Sequence, residues 1–220
     1  MRRPATWLLG VAFAGFLIGV SALVLTAPAF TRMVAAKTSL AEQAGLPLPR
    51  MLQIAEQVRL FVVDAEAPPL PTTVDGRSGF DDAAVTHLVD VRAVLSDARI
   101  ATGVLAALLA SVIATEVART RTDRIAEALF AGAIASIAFV ALAVVVASVN
   151  FDAFFSAFHG LFFKAGTWEF PSDSLLIQTF PETFWVAAGA AWGTLVVLGA
   201  LVMSVVARAL RHGNRQHSEA

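Results

Sequence analysis

FDAFFSAFHGLFFKAGTWEFPSDSLLIQTFPETFW, residues 151–185, holds nine of the chain's sixteen phenylalanines together with His159 and Trp168. Asp152, Lys164, Glu169, Asp173 and Glu182 interrupt it too often for it to lie in lipid hydrocarbon, where ionised side chains are expensive. Aromatic rings flanked by charge belong at the membrane–water interface, at headgroup depth. At about 100° per residue, Phe151, Phe154, Phe155, Phe158 and Phe162 fall on one stripe of a short interfacial helix. His159 falls at the stripe's edge beside Asp152, at the boundary between acyl chains and water. Gly166 breaks that helix, Pro171 marks a turn, and Pro181 closes a second apolar run from Leu175 to Phe180. The plain alternative is a re-entrant segment that only anchors a loop.

Apolar runs long enough to cross a bilayer flank this segment, at 128–149 and 184–207, and two more occupy 7–30 and 100–117. With 57% hydrophobic residues and a mean hydropathy of +0.72, the composition is that of an integral membrane protein. The expected fold is an all-α membrane protein with four transmembrane helices. The first run is longer than the apolar core of a signal peptide, about 7–15 residues, and is read as a retained span. Gly15 with Gly19, and Gly189 with Gly193, have the GxxxG spacing of close helix contacts.

Residues 31–99 read as a loop with short helices. Met51, Ile54 and Val58 suit an amphipathic helix, and Asp75-Gly76 suits a turn. Asp81 or Asp82 caps a helix that carries Val85, Leu88, Val91 and Leu95 with His87, Asp90 and Arg92, and runs on toward the second span. Residues 118–127 form a basic turn, 150–183 an exported interfacial segment, and 208–220 a polar, mobile tail. The short basic segments are the N-terminus, the 118–127 turn and the tail, so the positive-inside rule puts these in the cytoplasm. Both termini are then inside, and His87 and His159 lie on the opposite, exported side.

A net charge of −1 leaves no basic patch for many phosphates, which excludes a nucleic-acid partner. The absence of cysteine removes thiol catalysis, disulfides and thiolate metal sites, and there is no tyrosine. The spans are nearly free of ionisable residues, which disfavours transport. The remaining chemical handle is a pair of exported histidines, the side chain best suited to proton transfer near neutral pH. Asp90, three residues after His87 on a helix, shares its face and is expected to orient it. Two other sets compete. Ser156, His159 and Asp152 imitate a hydrolytic triad but come from one helix without a nucleophile elbow. His87, His159 and either Asp90 or Asp173 are the components of a zinc site, without an HExxH motif.

Phe158-His159-Gly160-Leu161-Phe162-Phe163, then Trp168, Asp173, Leu176-Ile177, Phe180-Pro181-Glu182 and Phe184, resemble the F-H-x-x-F-F … W … D-x-x-L-I … F-P-E-x-F signature of the lipoprotein intramolecular transacylase family, four-span bacterial membrane proteins. His87-Leu88-Val89-Asp90-Val91-Arg92 resembles the family's other motif, H-[ML]-x-D-V-[KR]. This sequence departs from the pattern at Lys164-Ala165-Gly166, and residues 38–79 do not align. The resemblance implies a bacterial cytoplasmic membrane protein with an extracytoplasmic active face. It implies transfer of one ester-linked acyl chain from the diacylglyceryl group of a lipoprotein to its N-terminal cysteine amine, giving a lyso-form lipoprotein. The partners implied are that lipoprotein and membrane lipid. No cofactor and no metal are implied. His87 and His159 are the expected catalytic residues, with Asp90, Arg92, Asp173 and Trp168 in support. Phe154, Phe155, Phe158, Phe162 and Phe163 would bind acyl chains.

The residues fit such chemistry. An α-amine with a pKa of about 7.7–8.0 must lose protons to act as a nucleophile, and a neutral histidine accepts one. Two other functions compete: a non-enzymatic assembly or sensor protein that binds partners through residues 31–99, and a membrane metalloenzyme.

Overall fold

The computed structural model describes residues 3–218. The chain is an all-α membrane protein whose four long apolar helices are α1 (Arg3–Val24), α4 (Asp82–Ala118), α5 (Thr122–Val149) and α8 (Glu182–Ser218). Between them lie α2 (Pro28–Thr38), α3 (Leu48–Val63), β1 (Thr73–Val74), β2 (Arg77–Ser78), α6 (Phe151–Gly160) and α7 (Leu175–Thr179).

Several boundaries differ from the sequence reading, each for a local reason. The first helix stops at Val24 rather than at 30. Thr26 donates its hydroxyl to the Leu23 carbonyl at 2.7 Å, and Ala27, extended at ψ 141°, delivers the chain to Pro28, which starts α2. Helix α4 is continuous across the expected boundary at residue 99, its N-terminus capped by Asp81, whose Oδ1 accepts from the Ala84 amide at 2.8 Å. At 1.5 Å per residue its 37 residues extend about 55 Å, against about 30 Å of hydrocarbon. The helix is thus longer than the hydrocarbon is thick, and His87 lies near its polar N-terminal end. The 118–127 turn contracts to residues 119–121, because Thr122 already begins α5. Glu116, buried near the end of α4, pairs with Arg124 of α5 at 3.1 Å across this turn. The expected tail 208–220 continues α8 as far as Ser218, and its last two residues lie outside the described residues.

The chain divides into two compact units. One comprises the residues up to Ala22, Arg99–Val149 and the residues from Trp192 onward. Its interior mixes large apolar residues with Ala126, Ala128 and Ala207. Phe13, Leu109, Ile125 and Leu129 pack together, whereas Leu8, Leu142 and Val202 lie more than half exposed, as lipid-facing side chains do. A Cβ at Gly10 would stand 3.2 Å from the Ala128 carbonyl oxygen, and one at Gly132 2.8 Å from the Gly10 oxygen. These two glycines are therefore where α1 and α5 touch. Of the expected small-residue pairs, Gly189 faces open space, whereas a Cβ on Gly193 would stand 3.3 Å from Val140 of α5, one on Gly15 3.6 Å from Leu105 of α4, and one on Gly19 against the Thr102 side chain of α4.

The other unit comprises Leu23–Ala98 and Asn150–Ala191. Its core joins Met51, Ile54 and Val58 of α3 to Val74, Phe80, Leu88, Leu176, Phe180 and Phe184. The apolar period read in 51–58 thus marks the buried face of α3. Asp75 and Gly76, both at positive φ (49° and 79°), form the hairpin turn between β1 and β2. The turn was legible in the sequence; the two short strands were not. Leu40 donates its amide to the Gln178 carbonyl at 2.8 Å, tying the segment after α2 to α7.

Candidate active site

Helix α6 is started by Asn150, whose side chain accepts from the Ala153 amide at 2.9 Å. The helix ends one residue after His159, where the amides of Phe162 and Phe163 both close on the His159 carbonyl, at 3.0 and 2.8 Å. That tight end swings Phe163 back over the imidazole. Gly166, at φ 79°, then reverses the chain and returns Trp168 to the same place.

The result is a histidine pair inside an aromatic box. His87, from the polar beginning of α4, and His159 face each other with ring centroids 6.1 Å apart and planes 27° from parallel. Phe163 touches both, at 4.9 Å from His87 and 5.6 Å from His159. Phe155 and Trp168 lie 4.0 and 4.7 Å from His159, and Phe170 lies 5.6 Å from His87. Both histidines are buried, 7% and 8% exposed, so His159 is not the boundary residue of the helical stripe. The stripe itself divides. Phe155 and Phe163 enclose the imidazoles, Phe154 packs on Phe151, and Phe158 and Phe162 stay about half exposed.

Burial disfavours charge on both imidazoles. His87 is pushed down to about 4, by burial first and by its neighbour His159 second; the more distant charge of Asp90 opposes them weakly. His159 is held below the ordinary histidine value by burial, against the opposing effect of its bond to Phe155. That bond, His159 Nδ1 to the Phe155 carbonyl at 2.9 Å, settles the tautomer. A carbonyl only accepts, so Nδ1 carries the hydrogen and Nε2 presents a lone pair. His87 Nδ1 and Trp168 Nε1 are both buried without a hydrogen-bond partner.

The carboxylates do not take the places assigned to them. Asp90 is exposed and makes no bond to His87 Nδ1, so it does not orient that ring. Asp173 is exposed and lines a cavity of about 290 Å³ with Gln43, Arg77 and Gln178, a cavity to which neither histidine contributes. Among the described residues no three His, Asp or Glu side chains are grouped to hold a metal ion, so neither aspartate completes a zinc site. The Ser156 triad does not form either, because His159 Nδ1 is bonded to a backbone carbonyl and Asp152 points to solvent. Arg92 acts on the scaffold. Its Nε donates to the Phe61 carbonyl at 2.6 Å and its guanidinium lies 4.1 Å over the Phe61 ring, which ties α4 to the end of α3. Phe170 and the Phe155 carbonyl were missed. One phenylalanine reads like another in a sequence rich in them, and no sequence signal singles out one backbone carbonyl.

The family of the lipoprotein intramolecular transacylase Lit matches residues 7–185. The chain belongs to this family. The family is one of acyltransferases, so the assembly-factor and sensor readings give way to an enzyme. The transacylase fold is shared with the membrane-integral Lit from Bacillus cereus, at a TM-score of 0.81, 16% identity and 98% coverage of both chains. Two structures of that protein with a single histidine mutated, to arginine or to alanine, give TM-scores of 0.73 and 0.71. Identity is 16% and 15%, with 99% and 98% of this chain and 95% and 96% of theirs covered. No curated protein matches the chain by sequence.

Proposed function

We propose that the histidine pair carries out acyl transfer within a diacylglyceryl lipoprotein at the outer face of a bacterial cytoplasmic membrane. The observation that carries this reading is the meeting of His87 and His159, from distant parts of the chain, in a shielded aromatic box. Donor ester and acceptor amine sit on one substrate, so holding them together supplies much of the rate. The amine nitrogen bonds to the ester carbonyl carbon, and the carbonyl pair moves onto oxygen. His159 Nε2, its lone pair exposed by the Phe155 bond, takes the nitrogen's proton. The carbon–oxygen bond to glycerol then breaks, and the same proton passes to the departing glyceryl oxygen. His87 stays neutral, because burial and His159 disfavour its charge, and donates a hydrogen bond to that oxygen. The two-histidine proton pair of the sequence reading thus becomes one proton carrier and one neutral donor. The half-exposed Phe158 and Phe162 are placed to meet acyl chains.

Purified protein in proteoliposomes with a diacylglyceryl lipopeptide should yield a peptide of unchanged mass whose acyl chain has moved from glycerol to nitrogen, read by fragmentation mass spectrometry. An unmodified peptide would exclude the activity. The orientation is tested separately. Ser78→Cys and Ser172→Cys, both exposed positions in a cysteine-free chain, should react with a membrane-impermeant thiol reagent in intact cells. Protection of both until lysis would invert the topology.

A further inference from the structure

Three indole N–H groups in the structure invite comparison. Trp185 donates to the Phe180 carbonyl at 3.1 Å, and Trp192 to the Ile18 carbonyl at 3.2 Å. Trp168 Nε1 is as shielded from water as a core atom and has no acceptor. A buried donor without a partner costs about 1–3 kcal/mol, and indole N–H groups ordinarily find one. Trp168 is also the indole that lies 4.7 Å from His159, its plane tilted by 34°. The indole with the unpartnered N–H is therefore the one whose ring packs on the group that takes the amine's proton.

We propose that Trp168 Nε1–H is the oxyanion donor of the transfer reaction, an inference that rests on the acyl-transfer reading above. As the amine nitrogen bonds to the ester carbon, the carbonyl π pair moves onto oxygen. That oxygen becomes the acceptor that the indole lacks at rest. When the pair returns, the bond to the glyceryl oxygen breaks, and the oxygen is again a carbonyl, now of an amide. The proton lost by nitrogen goes through His159 to glycerol, so Trp168 gains and loses nothing. Because its N–H is already desolvated, no water must be removed from it as charge develops, which is the condition under which such donors act most strongly. The cost of the unpartnered donor falls on the resting protein and is relieved in the transition state, where relief accelerates the reaction. The role also accounts for a tryptophan in a box otherwise built of phenylalanine: a phenyl ring would fill the space without the donor.

The test replaces Trp168 with 3-benzothienylalanine, which keeps the bicyclic shape and removes the N–H. Lipopeptide turnover in proteoliposomes should fall about 10²–10³-fold in kcat with KM little changed, as for loss of one oxyanion donor. The melting temperature should not fall, since no hydrogen bond present at rest is lost; the same replacement at Trp185, which does lose one, should lower it. Turnover within threefold of wild type, or a loss confined to KM, would overturn the role. Should the variant not fold, the 15N-indole signal of Trp168 in wild-type protein decides. It should move downfield when a lipid phosphonate mimicking the tetrahedral intermediate binds, and an unmoved signal with bound phosphonate overturns the proposal. If wild type itself makes no N-acyl product, both the reaction and the donor role fail. If wild type is active and the variant equally so, only the donor role fails.

Discussion

Removing the His159 imidazole should reduce product formation by about 10²–10⁴-fold, the range for a positioned acid–base group. The loss should appear in turnover rather than in folding. His159→Gln, of similar size, should insert into the membrane and melt near the wild-type temperature, because the α6 cap at Asn150 and the packing of Phe155 and Phe163 remain. His87→Gln should lose about 10²–10³-fold, as for one lost donor to developing charge. Both residues act in the same step, so the double variant should be little worse than the worse single one. His212, exposed and bonded to the Arg208 carbonyl within α8, lies in the other unit, and its replacement should leave turnover unchanged. Near-normal N-acylation by either site variant would sink the assignment, and so would a double-mutant loss equal to the product of the singles.

The pH profile should carry the signature of the substrate rather than of free histidine. In the folded protein His87 is pushed down to about 4, by burial first and His159 second, and burial holds His159 below the ordinary histidine value. The acid limb of turnover then belongs to the lipopeptide amine, with its midpoint at about 7.7–8.0. Below that midpoint the rate should fall about tenfold per pH unit, with no second break near 6.5. Thermal stability follows the opposite partner. The unfolded histidines bind protons near 6.5 and the folded ones only at lower pH, so stability is intact above about 6.5 and is lost as pH falls toward about 4. A turnover midpoint that stays at 6.5 when the amine's own pKa is altered would assign the limb to a histidine instead.

What the sequence disclosed depends on how locally each feature is encoded. Apolar length announces a span, so four spans were legible; their ends were not, because Thr26 and Pro28 outweigh apolar residues that continue to 30. His87 and His159 were legible because few residue types perform proton transfer. Their nearest carboxylates misled: proximity along a helix made Asp90 a partner, while the structure gives His159 a backbone carbonyl and leaves Asp90 in water. Helical spacing put Phe162 on the stripe with Phe155, yet α6 ends at Gly160 and the chain turns before Phe162. GxxxG spacing located part of the contact between spans: Gly15, Gly19 and Gly193 each face a neighbouring helix and Gly189 does not, while the close approach of Gly10 to Gly132 carries no such spacing.

The bond from His159 Nδ1 to the Phe155 carbonyl has one further consequence. The anchor of the imidazole lies one helical turn away in its own helix, and the only ring nitrogen left to work is Nε2. On the proposed mechanism the proton that leaves the neutral amine makes a short circuit: it departs from nitrogen, waits on one ring atom, and arrives on glycerol. Water is called on only beforehand, to take the proton that the ammonium form sheds, so the outside pH sets how much amine is ready and not how the transfer runs.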